Sequence, residues 1–285
     1  MELSVIIATS FNRKEFLFER SLFSIYKQYH NSPELILVYI IDDNPKTESQ
    51  YSTEFPKIQR GVLELRAKLG IPSTHFPTKV IPNIRTQGNS GTGAWNTGIF
   101  LSHSLSPNGY ISILDDDDEY LPNHLADCIK VCSSNTAAVF QELQWKNTDG
   151  TVLNFPLSDE VINPSSFFKG NPGVQGSNMF FKTQFLVDIG GFDETFPNTT
   201  DRELLIRFLW HVSKLKAESG KRYKVEVLKN LGVIHYNHSF QKVNNNLSLK
   251  QIGLDLFYKK YKSYFSEEDY SISIRRAKQL FNYNV

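Results

Sequence analysis

Hydrophobic positions change period several times along the chain, and each change marks an element. Leu3 to Ala8 is an unbroken apolar run of the kind buried on both faces of a parallel sheet, and Thr9-Ser10-Phe11-Asn12-Arg13 ends it with polar residues around a lone aromatic. From Lys14 to Tyr29, the apolar residues Leu17, Leu22, Ile25, Tyr26 and Tyr29 fall close to helical spacing. Glu34 to Ile41 is a second apolar strand, stopping at Asp42-Asp43-Asn44. Strand, helix, strand over about 40 residues is the parallel βαβ unit with its right-handed crossover. Ile58, Val62, Leu65 and Leu69 then predict a helix closed by Gly70. Lys79 to Ile84 predicts a short strand that Pro82 assigns to an edge or irregular position.

A glycine-rich stretch, Gln87 to Gly93, opens onto Ala94 to Leu101, and the apolar run from Ile111 reaches Asp115. After Pro122 the alternation changes. Ala137 to Trp145 and Thr151 to Leu157 flank Asp149-Gly150, a hairpin turn, so antiparallel strands are expected there. Asn163 to Gln175 reads as loop, Asn178 to Lys182 as a short strand and Gly190-Gly191 as a turn. A strong helix begins at Asp201, with Leu204, Leu205, Phe208, Leu209 and Val212 on one side and Asp201 and Glu203 in the first turn, where negative charge suits the helix dipole. Val225 to Val227 and Val233 to Tyr236 predict two strands. Leu247 to Tyr264 and Ser266 to Phe281 predict two terminal helices, the second with a capping Ser266.

Composition narrows the class. A chain of 285 residues with 40 % hydrophobic content can bury a sizeable core, and a formal net charge of +1 gives no field that would mark a nucleic-acid binder. Two cysteines supply no disulfide framework, which with the absence of a signal-like start predicts a cytoplasmic setting. No apolar run approaches the ~20 residues needed to span a bilayer. Lys259, Lys260 and Lys262 among Tyr258, Tyr261, Tyr264 and Phe265 allow either a peripheral membrane contact or a solvated helix face with an aromatic packing stripe. His124, Cys128 and Cys132 recur every fourth residue, but on a helix they would extend over ~12 Å and could not surround one ion.

Chemistry concentrates at Asp115 to Asp118, four consecutive carboxylates on the end of an apolar strand. Like charges a few ångströms apart repel by about 1 to 4 kcal/mol at effective dielectrics of 80 down to 20, so a cation is expected among them. Hard oxygen ligands select Mg²⁺ or Mn²⁺. A solvated acidic turn is the alternative. In an open parallel sheet, ligands bind outside the carboxyl ends of the strands, and Thr9 to Asn12, Asp42 to Asn44 and Asp115 to Asp118 all lie at such ends. An aromatic beside carboxylates and a metal describes a nucleotide site. The glycine-rich stretch is neither a Walker loop nor a dinucleotide fingerprint.

Together these motifs resemble the inverting family 2 glycosyltransferases of the GT-A fold. The resemblance rests on Ser4 to Arg13 as first strand and loop, Ile41-Asp42-Asp43-Asn44 as the second acidic strand end, Leu114 to Pro122 as the metal-binding DxD segment, and Gly190-Gly191-Phe192-Asp193-Glu194 with Thr200-Asp201 as the acceptor-side motif and base position. It implies an α/β fold with a mixed, mainly parallel Rossmann-like sheet flanked by helices. A nucleotide-sugar-binding half (1–122), an acceptor-binding half of the same domain (123–240) and a C-terminal helical extension (241–285) would follow one another.

The same resemblance implies residue roles. Thr9 and Phe11 would hold a uracil-like base, Asp43 with Asp42 its ring N–H, and Asp116 or Asp115 the ribose. Asn12, Arg13, Asn89 and Asn96 would complete the nucleotide contacts. Asp117 would bind Mn²⁺ or Mg²⁺, joined by His238 as first candidate or His235 as second. Asp201 would be the general base, with Asp193 or Glu194 as alternatives because the family often carries an acidic pair where this chain has Thr200-Asp201. The implied reaction moves a sugar from a nucleotide-sugar donor of the UDP type to a hydroxyl of a glycan, a lipid-linked acceptor or a protein, in bacterial glycan or polysaccharide synthesis. A sugar-phosphate nucleotidyltransferase and an inactive nucleotide-binding module are the competing classes.

Overall fold

The structure is a computed structural model that describes residues 2–28, 35–48, 50–237 and 247–283. Its first half alternates strand and helix. Strand β1 (Glu2–Thr9) leads through a helical segment made of α1 (Lys14–Phe16), a π-helical turn (Leu17–Ser21) and α2 (Leu22–Tyr26) to β2 (Leu35–Asp42). Helix α3 (Phe55–Leu69) starts with Pro56 in its first turn and ends on Gly70, whose φ of 65° closes it in the left-handed conformation glycine adopts at no steric cost. Next come β3 (Thr78–Pro82), α4 (Thr92–Leu105) and β4 (Tyr110–Asp115).

The second half is mixed. It holds β5 (Glu119–Tyr120), α5 (His124–Val131), β6 (Thr136–Asn147), β7 (Val152–Phe155), α6 (Pro164–Lys169), β8 (Met179–Lys182), α7 (Thr183–Asp188), α8 (Thr200–Ser219) and β9 (Lys224–Asn237). Helices α9 (Leu247–Tyr261) and α10 (Glu267–Phe281) close the chain, and the Ser266 hydroxyl caps α10 by accepting from Asp269 N–H. The described strands form one sheet in the order β3-β2-β1-β4-β8-β6-β9-β5, with β7 paired to β6. Pairing is parallel through β3, β2, β1 and β4; β8 is antiparallel to both β4 and β6, while β9 runs parallel to β6. This is the mainly parallel α/β architecture expected from the sequence, with Pro82 on the outer strand.

Three local expectations change. Residues 225–227 and 233–236 belong to one strand, because β9 absorbs its polar middle in register shifts opposite Gln141 and Glu142. Within the 163–175 stretch a short helix forms, started by the Asn163 side chain accepting from Ser166 N–H and by Pro164 at the first helical position. The Lys14-to-Tyr26 helix includes a π turn that does not follow a 3.6-residue period.

Apolar residues fill both faces of the sheet. Ile6, Tyr39, Ile113, Phe140 and Phe181 face α4, α8 and the C-terminal helices, while Val5, Ile7, Val38, Leu114 and Phe180 face α2, α3 and α5. Tyr258 and Tyr261 are buried in the first of these cores and Lys260 is paired to Asp193 and Glu203, so the aromatic stripe on α9 is a packing face. Cys128 is buried, and His124 stacks on Tyr120 with Nδ1 2.7 Å from Gln141 Oε1. Among the described residues, neither joins a group that could hold a metal ion. Among the described residues, no helix is long and apolar enough to cross a membrane.

Candidate active site

Register brings the three polar strand ends together. Ala8 lies opposite both Ile41 and Asp115, and Thr9 lies opposite Asp42, so β2, β1 and β4 finish on one line. In an open parallel sheet this line, at the carboxyl ends of the strands, is where ligands bind. Phe11 stands above this edge with 55 % of its surface exposed. Asn12 takes a left-handed φ of 63°, which turns the backbone so that Arg13 folds back over the acidic end of β4.

The two aspartates after β2 diverge. Asp42 is 2 % exposed and accepts from Asn44 N–H, Asn44 Nδ2 and the Ser52 hydroxyl, so it anchors the loop below the edge. Asp43 accepts from Asn83 Nδ2 at 2.6 Å and from Gly88 N–H at 3.2 Å, and burial pushes its carboxyl up to about 6 in spite of both bonds. Asn89 and Asn96 are engaged elsewhere. Asn89 Nδ2 donates to Glu194 O; Asn96 Nδ2 donates to Phe192 O and Glu194 Oε1, and Asn96 Oδ1 accepts from Phe192 N–H. These bonds tie α4 to the Gly190–Glu194 turn, whose approach depends on Gly191: its φ is 71° and a Cβ there would lie 2.2 Å from Asn96 Oδ1.

The four carboxylates after β4 also separate. Arg13 Nε donates to Asp116 Oδ1 at 2.7 Å, and Arg13 Nη2 lies 2.8 Å from Asp117 Oδ2. Burial pushes Asp116 up to about 6, against the pull of Arg13. Asp118 turns the other way. It accepts from the Ser177 hydroxyl at 2.5 Å and from Tyr236 N–H at 3.3 Å, and its Oδ2 is 2.9 Å from His235 Nδ1. Asp115 faces the same side, its N–H donating to Ser177 Oγ. Burial, then the charges of Asp118, Asp117, Asp201 and Asp116, hold the Asp115 carboxyl well above its ordinary value.

One ligand atom each from Asp115, Asp118 and His235 lies within 4.8 Å of the others. Two carboxylate oxygens and an imidazole nitrogen form a donor set that suits Mn²⁺ and accepts Mg²⁺. Burial and the neighbouring carboxylate charges together raise Asp115, and a cation among these oxygens would oppose both effects, so the residues present fit a divalent ion. Asp117, the ligand expected from the sequence, has its carboxylate on Arg13, while Asp118, without an assigned role there, is central. His235 is in the cluster. His238 lies outside the described residues.

Asp201 is the second residue of α8, which begins directly after Thr199, whose φ is 68°. It accepts from Gly176 N–H; burial raises its carboxyl to about 6, opposed by Lys250, that bond and His235. The alternatives behave differently. Burial acts to raise Asp193 and Glu194 too, yet Lys260 and Thr195 hold Asp193 below its ordinary value, and Asn96, Arg85 and Thr86 do so for Glu194. Both are structural anchors by their bonds.

The profile of the family described as Glycosyl transferase family 2 matches residues 4–209. This chain belongs to glycosyl transferase family 2. The match includes β1 from Ser4 onward, both acidic strand ends and the start of α8 with Asp201. No curated protein matches in sequence. Among solved structures, S. aureus TarS residues 1–349 in complex with UDP-GlcNAc superposes with a TM-score of 0.61 at 13 % identity, covering 98 % of this chain and 73 % of that one. A second crystal structure of S. aureus TarS residues 1–349 gives 0.58 at 14 %, covering 98 % and 72 %, and TarS itself gives 0.56 at 14 %, covering 90 % and 40 %. These likenesses extend the family 2 glycosyltransferase fold, of GT-A type, through the C-terminal helices.

Proposed function

We propose that this glycosyltransferase is metal-dependent and inverting, moving a hexosyl unit from a UDP-sugar to a hydroxyl acceptor in bacterial polysaccharide synthesis. The observation that carries the reading is the placement of Asp201. Of the three carboxylates considered as base, it alone is raised, and it lies close enough to the cluster that its charge raises Asp115 and the charge of His235 acts to lower it. A base poised near neutrality on the edge of a metal cluster suits acid-base work on a hydroxyl. The crystal complex of the TarS fragment with UDP-GlcNAc supports a nucleotide-sugar donor for the same fold.

In this reading Phe11 offers its exposed face to the base, and Asp43, fixed by Asn83 and Gly88, accepts the ring N–H. Asp116, oriented by Arg13, takes the ribose. Asp115, Asp118 and His235 would hold the ion, which when bound neutralises charge on the diphosphate. Asp201 removes the acceptor proton as the hydroxyl oxygen forms its bond to the anomeric carbon. The bond to the diphosphate oxygen breaks in the same step, with inversion.

A thermal-shift screen of UDP-, dTDP- and GDP-sugars with and without Mn²⁺ tests the reading, because a ligand that binds the native state raises apparent stability by mass action. Stabilisation by UDP-sugars that depends on Mn²⁺, with release of UDP, is expected. Pyrophosphate release from a nucleoside triphosphate would move the assignment to a nucleotidyltransferase, and no response to any sugar nucleotide would overturn it.

A further inference from the structure

The C-terminal helix α9 reaches the base. Lys250 projects from its first turns, and its Nζ donates to Asn198 Oδ1 at 2.8 Å while standing 4.4 Å from the Phe281 ring centre. Asn198 is 3 % exposed, and the same Oδ1 also accepts from Thr199 N–H at 2.6 Å. Thr199 is the β-branched residue held at φ 68°, a conformation such residues rarely adopt unless their surroundings impose it. It immediately precedes α8, so the direction of the first turn, and of Asp201 within it, follows from how Asn198 is held.

A second contact joins the same elements. Gly253, one turn after Lys250 on α9, lets that helix approach so closely that a Cβ would lie 2.8 Å from Asn198 O. Lys250 also bears a cost. Burial and the nearby Arg202 push its ammonium down to about 8, and the Asp201 charge only partly opposes this. Arg202 is itself satisfied by the carbonyls of Phe167 and Phe168 and by the Ser273 hydroxyl, whereas the half-buried Lys250 bonds to the turn before α8.

We propose that Lys250 is a positioning residue for the transfer reaction: with Gly253 it docks α9 onto Asn198 and thereby fixes the Thr199 turn that aims Asp201 at the acceptor hydroxyl. The inference rests on the reading of Asp201 as base. It makes the C-terminal extension, which lies beyond the matched family segment, a part of the catalytic apparatus.

The test uses the full chain. UDP release from UDP-GlcNAc with Mn²⁺ and water as acceptor is measured for wild type, Lys250→Met, Lys250→Arg, Gly253→Ala and Asn198→Ala, beside donor affinity by calorimetry and amide hydrogen exchange over residues 199–203. Lys250→Met and Gly253→Ala are expected to lower kcat roughly 10- to 100-fold, as small misplacements of a reacting group do, with KM and donor affinity within about twofold. Lys250→Arg recovers part of the loss. Adding Lys250→Met to Asn198→Ala costs less than the product of the single effects. Exchange over 199–203 accelerates in Lys250→Met while the sheet strands stay protected. Unchanged kcat and exchange in Lys250→Met would overturn the proposal, as would parallel loss of donor affinity. If wild type neither binds nor turns over the donor, the UDP-sugar reading fails by itself, and the exchange comparison still decides whether Lys250 holds the turn.

Discussion

Asp118 Oδ2 lies 2.9 Å from His235 Nδ1, although 117 positions separate them in the chain. The sheet produces this contact: Glu119 pairs with Ile234 and Tyr120 with Val233, so the turn after β4 is laid against the end of β9. His235→Ala and Asp118→Asn are therefore expected to weaken Mn²⁺ binding at least about tenfold, on the scale at which loss of groups around a metal is felt. Asp117→Asn should weaken it less, because that carboxylate faces Arg13. Titrations of the three variants check the ranking. The reverse order would return the ligand role to Asp117.

Arg13 bridges Asp116 and Asp117 with little exposure on any partner, 14 % for the arginine side chain and 3 and 5 % for the carboxylates. Removing one partner of a buried ionic group leaves uncompensated charge at a cost of about 3 to 5 kcal/mol. Arg13→Met is expected to lower stability by a few kcal/mol at pH 7.5 and by clearly less at pH 5, where Asp116, raised to about 6, can take up a proton. Urea unfolding at the two pH values measures the difference.

Four carboxyls at this edge are raised, Asp43, Asp116 and Asp201 to about 6 and Asp115 well above its ordinary value. Their folded values lie above the unfolded value of 3.8, so the native state binds more protons than the unfolded one between roughly pH 4 and 6. Their contribution to stability is present below pH 4 and is lost as pH rises through 6. The metal-free protein should accordingly melt several degrees lower at pH 7.5 than at pH 5. Millimolar Mn²⁺ should reverse most of that fall at pH 7.5 and little at pH 5. Melting curves in the presence of EDTA or Mn²⁺ supply the check.

Much of this arrangement was legible from residue order because parallel strands carry unbroken apolar runs, and their ends announce themselves as polar breaks at Thr9, Asp42 and Asp115. The division of labour within Asp115 to Asp118 was not legible. Adjacent aspartates are chemically identical in a sequence, and only the turn after β4, which sends residues 116 and 117 toward Arg13 and residue 118 toward β9, tells them apart. Ser177 lies in a short turn, Gly176–Asn178, with no periodic signal. His235 did leave a trace, since it shares a strand face with buried Val233. Asn89 and Asn96 are nucleotide contacts among the roles the resemblance implies, and a sequence carries no sign that their side chains also bond to the Gly190–Glu194 turn. Lys250 had no local signal, because its significance comes from tertiary contact with Asn198.

That turn can be tested through its glycine. Gly191→Ala places a Cβ 2.2 Å from Asn96 Oδ1 at a φ of 71°. Strain and displacement of Asn96 together are expected to destabilise the protein by about 2 to 4 kcal/mol. Gly190→Ala, with φ 80° and nothing within 4 Å of the added carbon, should cost about 1 kcal/mol. Denaturant midpoints of the two variants compare the added clash with backbone strain alone.

Asp201 is the most direct point of attack on the functional reading. UDP release from UDP-GlcNAc in Mn²⁺, followed for wild type and Asp201→Asn beside calorimetric donor binding, separates catalysis from binding. The expected result is a loss of turnover of roughly 100-fold or more with donor affinity preserved, since general-base assistance contributes about 10²- to 10⁴-fold. Turnover of Asp201→Asn at the wild-type rate would contradict the assignment.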